Sequence, residues 1–133
     1  MKNILDARLR SVTRAQNMIP YDRYGVVNPD FEWLPLSGNK GGEYECFFIR
    51  FKPGARSTPH VHTGGEDFMV LEGELEDCDG TVFKPGDFVC FAPGSKHWSY
   101  SADGCLLLAI LRGGNRQLET NQATTHARKK TGI

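Results

Sequence analysis

The run GARSTPHVHTGGEDFMVLEG, from Gly54 to Gly73, places His60 and His62 one residue apart and Glu66 four residues beyond the second histidine. In an extended strand alternate side chains share a face, so both imidazoles point one way and Val61 the other. Gly64 and Gly65 permit a bend or bulge that brings the Glu66 carboxylate back toward the rings. A fourth group is available at His97, after the reversal APGSK and before the alternating run HWSYS. Three imidazole nitrogens and one carboxylate oxygen suit a divalent metal held at roughly 2.0–2.2 Å per bond. That donor set fits iron, manganese, nickel or zinc better than calcium, which prefers oxygen alone. Each member has a plainer reading on its own: HxH as a polar turn, Glu66 as a solvated acid, and His97 as a cap on the core beside Trp98.

The elements that must position these groups are β-prone. YECFFIRF, DFMVL, DFVCFA, HWSYS and CLLLAIL are short runs rich in aromatic and branched residues. KPG, DCDG, KPGD, APGS and ADG separate them and favour tight reversals over crossover helices. These patterns predict an all-β antiparallel sandwich or small barrel. Residues 1–42 are expected to form an N-terminal arm with short edge strands, the first 19 as a short amphipathic helix or an intersubunit arm. Residues 43–112 form the barrel core and 113–133 a loosely held polar tail.

At 133 residues the chain fits one domain with one core. Its 16 basic and 16 acidic residues balance, which argues against nucleic acid as a partner drawn by overall charge. The Arg128-Lys129-Lys130 cluster is expected to solubilise the tail. No apolar run approaches a membrane span, and the charged first residues lack a secretory pattern, so the expected location is the cytoplasm. Cys46, Cys78, Cys90 and Cys105 are too widely spaced for a zinc knuckle and are expected as reduced thiols, with Cys90 buried and inert. There is no G-x-S-x-G elbow, dinucleotide fingerprint or phosphate loop.

Together these residues resemble the cupins. The first cupin motif is met at every position by Gly54, His60, His62, Glu66 and Gly73, and the second by Gly86, Pro93, Gly94 and His97. Two departures are visible: Ala92-Pro93 shifts the usual proline by one, and Ser101 stands near where asparagine is common. The string GGEDFMVLEGELEDCDGTVFKPGDFVCFAPGSKHWSYSADGC is similar to the ChrR-like branch over residues 43–112. The resemblance implies a double-stranded β-helix, a jelly-roll-like barrel, with His60, His62, Glu66 and His97 holding the metal and carrying any catalysis.

It also implies one of two activities. The first is a non-haem Fe(II) dioxygenase cleaving a small diketone or hydroxy-ketone, with Mn(II) or Ni(II) as other occupants. The second is a non-catalytic Zn(II)-binding module that senses a ligand. A small organic ligand and a homodimer paired through a strand edge or the N-terminal arm are the expected partners. Phe47, Ile49, Phe68, Val70, Phe91, Ser99 and Leu108 are the candidate pocket wall, with Phe48 and Phe51 as the alternative register to Phe47 and Ile49.

Overall fold

A computed structural model describes residues 17–118. The expected N-terminal helix falls almost wholly outside the described residues, as does the Arg128-Lys129-Lys130 cluster. Among the described residues the regular structure is nearly all strand, without an α-helix. Thirteen strands follow one another: β1 (Ile19–Tyr21), β2 (Asn28–Gly38), β3 (Tyr44–Phe51), β4 (Ala55–Arg56), β5 (His60–His62), β6 (Glu66–Gly73) and β7 (Leu75–Asp77), then β8 (Val82–Phe83), β9 (Phe88–Phe91), β10 (Ser95–His97), β11 (Ser99–Ser101), β12 (Cys105–Arg112) and β13 (Asn115–Gln117). They form a six-stranded sheet in the order β1-β2-β3-β12-β6-β9, a three-stranded sheet β10-β5-β13 and a four-stranded sheet β4-β11-β7-β8. Among the described residues the sheets do not close on themselves; the arrangement is an antiparallel β-sandwich.

The core lies where alternate residues of the large sheet meet the smaller ones. Phe31 and Trp33 of β2, Phe47 and Phe51 of β3, Phe68 and Val70 of β6 and Leu107, Ala109 and Leu111 of β12 pack with Ala55 and Leu75. Their period of two is the pleat expressed as burial. Register aligns them across the sheet, with Ala109 opposite both Phe47 and Phe68, and Leu107 opposite Ile49 and Val70. Phe31 meets Phe51 edge-to-face with ring centroids 4.7 Å apart, a favoured aromatic geometry.

Two segments differ from expectation. β2 is an 11-residue strand, not a short one, and β1 covers its outer edge, because Phe31 and Trp33 alternate into the same core as β3. The start of the polar tail is also ordered: β13 pairs with β5, and the Leu118 amide donates to the Pro59 carbonyl at 3.0 Å. Leu118 is buried, which supplies the apolar anchor that the surrounding polar residues obscure.

Candidate metal centre

β5 and β10 bring the histidines together. The antiparallel register sets His97 opposite His60 and Ser95 opposite His62, so His62 and His97, 35 positions apart in sequence, return to within one strand spacing. Glu66 arrives by the bend between β5 and β6. Gly65 holds φ +90°, and a Cβ at Gly64 would run into the Arg112 carbonyl, so the turn needs glycine at both positions. β6 then starts with Glu66 opposite Phe91 of β9 and Leu111 of β12.

Each of two rings is oriented by an acceptor on its far side. The Nδ1–H of His60 donates to the Thr58 carbonyl at 2.7 Å, and the Nδ1–H of His97 donates to Asp77 Oδ1 at 2.8 Å. A carbonyl and a carboxylate can only accept, so both rings carry their proton on Nδ1 and turn the Nε2 lone pair inward. The Nε2 atoms of His62 and His97 lie 2.7 Å apart, and ligand nitrogens of all three histidines fall within 4.8 Å of one another. Bonds near 2.1 Å set adjacent donors about 3 Å apart, so this cluster of inward lone pairs matches a transition-metal site. The three-histidine cluster could hold a divalent metal.

The electrostatics agree with a neutral donor set. Burial lowers the His60 pKa well below 6.5, and the neighbouring His97 and His62 rings add to the effect. An imidazole kept neutral at physiological pH is the form that binds a metal. Glu66 stands beside the cluster and not within it: Oε1 is 3.5 Å from His62 Nε2, and its side chain is 13 % exposed. Burial pushes its pKa up from 4.5 to about 7, while His97 and Arg23 pull the other way.

His60, His97 and Glu66 face a cavity of about 380 Å³. Of the candidate wall residues, Phe47, Ile49, Phe68 and Ser99 line it, together with Phe51 from the alternative register. Val70, Phe91 and Leu108 are absent from the lining. Val70 is sealed in the core, Phe91 stacks on His62 at 5.5 Å and packs on His97 at 4.3 Å, and Leu108 has the opposite parity to the inward Leu107 and Ala109.

Residues 19–113 match the family model described as the ChrR cupin-like domain. The chain is a member of that family. The cupin is also 38 % identical over 58 residues to an (R)-mandelonitrile lyase from Granulicella tundricola, a match spanning 41 % of this chain and 44 % of that protein. Among solved structures it is similar to an acetylacetone dioxygenase from Acinetobacter johnsonii, with TM-score 0.75, 12 % identity and 90 % of each chain covered. It is similar too to the anti-sigma factor ChrR of Rhodobacter sphaeroides, solved with SigE. That match has TM-score 0.59 and 21 % identity, covering 74 % of this chain and 51 % of that one. At these identities the solved structures attest the cupin fold.

The cupin also uses residues that the motifs did not single out. Asp77, in the run LEDCDG, reads as a turn acid, yet it is buried and orients His97. Only the antiparallel pairing of Ser99 with Asp77, between β11 and β7, brings it to the site. Tyr21, Tyr24, Val26, Val27 and Asn28 line the cavity from the segment that had been expected to form edge strands and loops. Cys90 is exposed, not buried, because it sits on the outer face of β9 opposite Asp67. Its pKa is raised, first by local desolvation and then by hydrogen bonding to the Asp67 carboxylate, which keeps it a poor nucleophile.

Among the described residues no helix is long and apolar enough to cross a membrane.

Proposed function

We propose that this cupin is a metal-dependent enzyme that breaks a carbon–carbon bond next to a carbonyl in a small substrate, in the first instance as an Fe(II) dioxygenase acting on a diketone or hydroxy-ketone. One observation carries this reading: imidazole nitrogens and the Glu66 carboxyl face an open-mouthed, largely aromatic and aliphatic cavity of about 380 Å³. A closed structural zinc site would not need such a space.

His60, His62 and His97 are the proposed ligands, with Glu66 completing the set when no substrate is present. A bound Fe(II) would supply Lewis acidity toward a substrate oxygen and redox access to dioxygen. The remaining work falls to the chain. Phe47, Phe51, Phe68 and Leu107 strip water from the substrate and strengthen its polar contacts. Glu66, at the cavity wall, takes a proton at its carboxylate from the carbon between the two oxygen-bearing carbons. Asp77 keeps the His97 lone pair turned inward throughout.

Oxygen uptake measured after anaerobic Fe(II) loading and addition of pentane-2,4-dione or aromatic hydroxy-ketones tests the proposal. Stoichiometric uptake with cleavage products is expected, and no uptake across the panel removes the dioxygenase reading. The partial match to the mandelonitrile lyase favours a second form, cleavage without oxygen. Anaerobic release of benzaldehyde from mandelonitrile would select it. The ChrR-type family membership supports the sensory alternative, for which Zn(II) and ligand binding without turnover is the signature. The acting unit in this proposal is a homodimer joined through the outer edge of β1, where Ile19 is exposed; sedimentation as a monomer would exclude it.

A further inference from the structure

The cavity wall contains a phenol whose surroundings are more elaborate than packing requires. Tyr21 lines the cavity, and its ring rests on Trp33 and Phe31 with centroids 5.0 and 5.7 Å away. Its oxygen accepts a hydrogen bond from Arg23 Nε at 3.2 Å. The rest of that guanidinium is committed elsewhere: Nη1 donates to Glu45 Oε2 at 3.0 Å and Nη2 to Oε1 at 2.8 Å. Glu45 is fixed in turn by the Gly41 amide at 3.1 Å, and the Arg23 carbon centre lies 5.1 Å from both the Trp33 and Phe47 rings. Both members of the ion pair are buried.

We propose that the Tyr21 hydroxyl is the hydrogen-bond donor that recognises the second oxygen of the substrate, and that Arg23 and Glu45 are the residues that position it. This rests on the reading that the cavity takes a small molecule with two oxygens. A phenol has one proton and acceptor lone pairs. Arg23 can only donate, so it occupies a lone pair and leaves the phenolic proton for another acceptor. Accepting from a cation also polarises the hydroxyl and makes it the stronger donor. Burial holds the phenol well above its ordinary pKa, so it stays protonated.

The arrangement is rigid because each group is held from behind. A bidentate Arg–carboxylate fork between aromatic faces cannot swing without leaving buried charge unpaired. Tyr21 and Glu66 line the same cavity, so the donor and the proposed base face one volume. A mono-ketone offers one oxygen and would leave Tyr21 unpaired in an apolar wall, whereas a diketone or hydroxy-ketone satisfies both ends. Selectivity for two-oxygen substrates is the expected consequence.

The test compares the binding of pentane-2,4-dione and 2-pentanone to the metal-loaded protein and to its Tyr21→Phe and Arg23→Lys variants by calorimetry. Tyr21→Phe keeps the ring that packs on Trp33 and Phe31, and thermal melting checks that it folds. Tyr21→Phe should weaken the diketone about tenfold and change the mono-ketone less than about twofold. Arg23→Lys, which loses the fork but keeps the charge, should shift the same ratio in the same direction by a smaller factor. Unchanged diketone affinity in Tyr21→Phe, or equal loss for both ketones, overturns the proposal. If the wild-type protein binds the diketone without consuming oxygen, the dioxygenase reading falls and the role of Tyr21 stands. If it binds neither ketone, both fall.

Discussion

Two polar clusters are buried in one aromatic sandwich, and they are built on opposite principles. Arg23 and Glu45 complete each other, with two charge-assisted hydrogen bonds, a backbone amide on the carboxylate and aromatic faces around the guanidinium. His60, His62 and His97 do not. Their outer nitrogens are satisfied by Thr58 and Asp77 where those bonds are made, while inner nitrogens converge on one another. The 2.7 Å approach of two ring nitrogens is relieved by a shared proton or by a metal ion, whereas a closed ion pair asks for nothing more. Convergence of ring nitrogens on one point marks a place for a ligand, and a closed ion pair marks a support.

The comparison can be broken at three points. The largest effect is expected at the closed pair: Glu45→Ala strands a buried guanidinium and should cost about 3–5 kcal/mol in urea unfolding. Replacing both partners, Arg23→Met with Glu45→Leu, should recover most of that loss. Metal should not alter either result, because this cluster is complete without it.

The next effect belongs to Glu66 in metal-free protein. Its folded pKa of about 7 lies above the unfolded 4.5, so the native state holds the proton more tightly. The penalty is absent below pH 4.5, grows as pH rises and levels off above about 7. Glu66→Gln should remove it, raising stability at pH 8 by about 2–3 kcal/mol over wild type. His60 acts in the opposite sense: its folded pKa is below 6.5, so stability falls as pH drops beneath that value. The difference between variant and wild type isolates the carboxyl, and a flat difference from pH 4 to 8 would contradict its placement.

The mildest change is Asp77→Asn, which keeps the shape and weakens the orientation of His97. Zinc affinity measured against a chelating dye should drop about 10–100-fold. An unchanged affinity would mean that the far side of the ring does not matter to what its near side binds.

The motif residues were legible because local spacing carries them. An HxH in a strand puts two rings on one face, and a glycine pair before Glu66 announces the bend. The β-rich architecture was legible for the same reason, through alternation and turn residues. The supports were not legible. Asp77 reads as a turn acid, Tyr21 and Arg23 as loop residues, and Leu118 as part of a polar tail, because each acts only across a sheet or sandwich. Leu108 falls outside the pocket wall by one step of parity, which no single strand can settle without its neighbours.

By itself the sequence determined the alternating strands, the glycine-dependent turns and a donor set of the right chemistry, since these depend on contacts within a few residues. The tertiary structure alone decided that His97 meets His60, that Asp77 stands behind His97 and that Tyr21 reaches the cavity held by Arg23 and Glu45. Those pairings lie many residues apart along the chain. Their geometry is set by strand register and sheet packing, which emerge only when the whole core is buried at once.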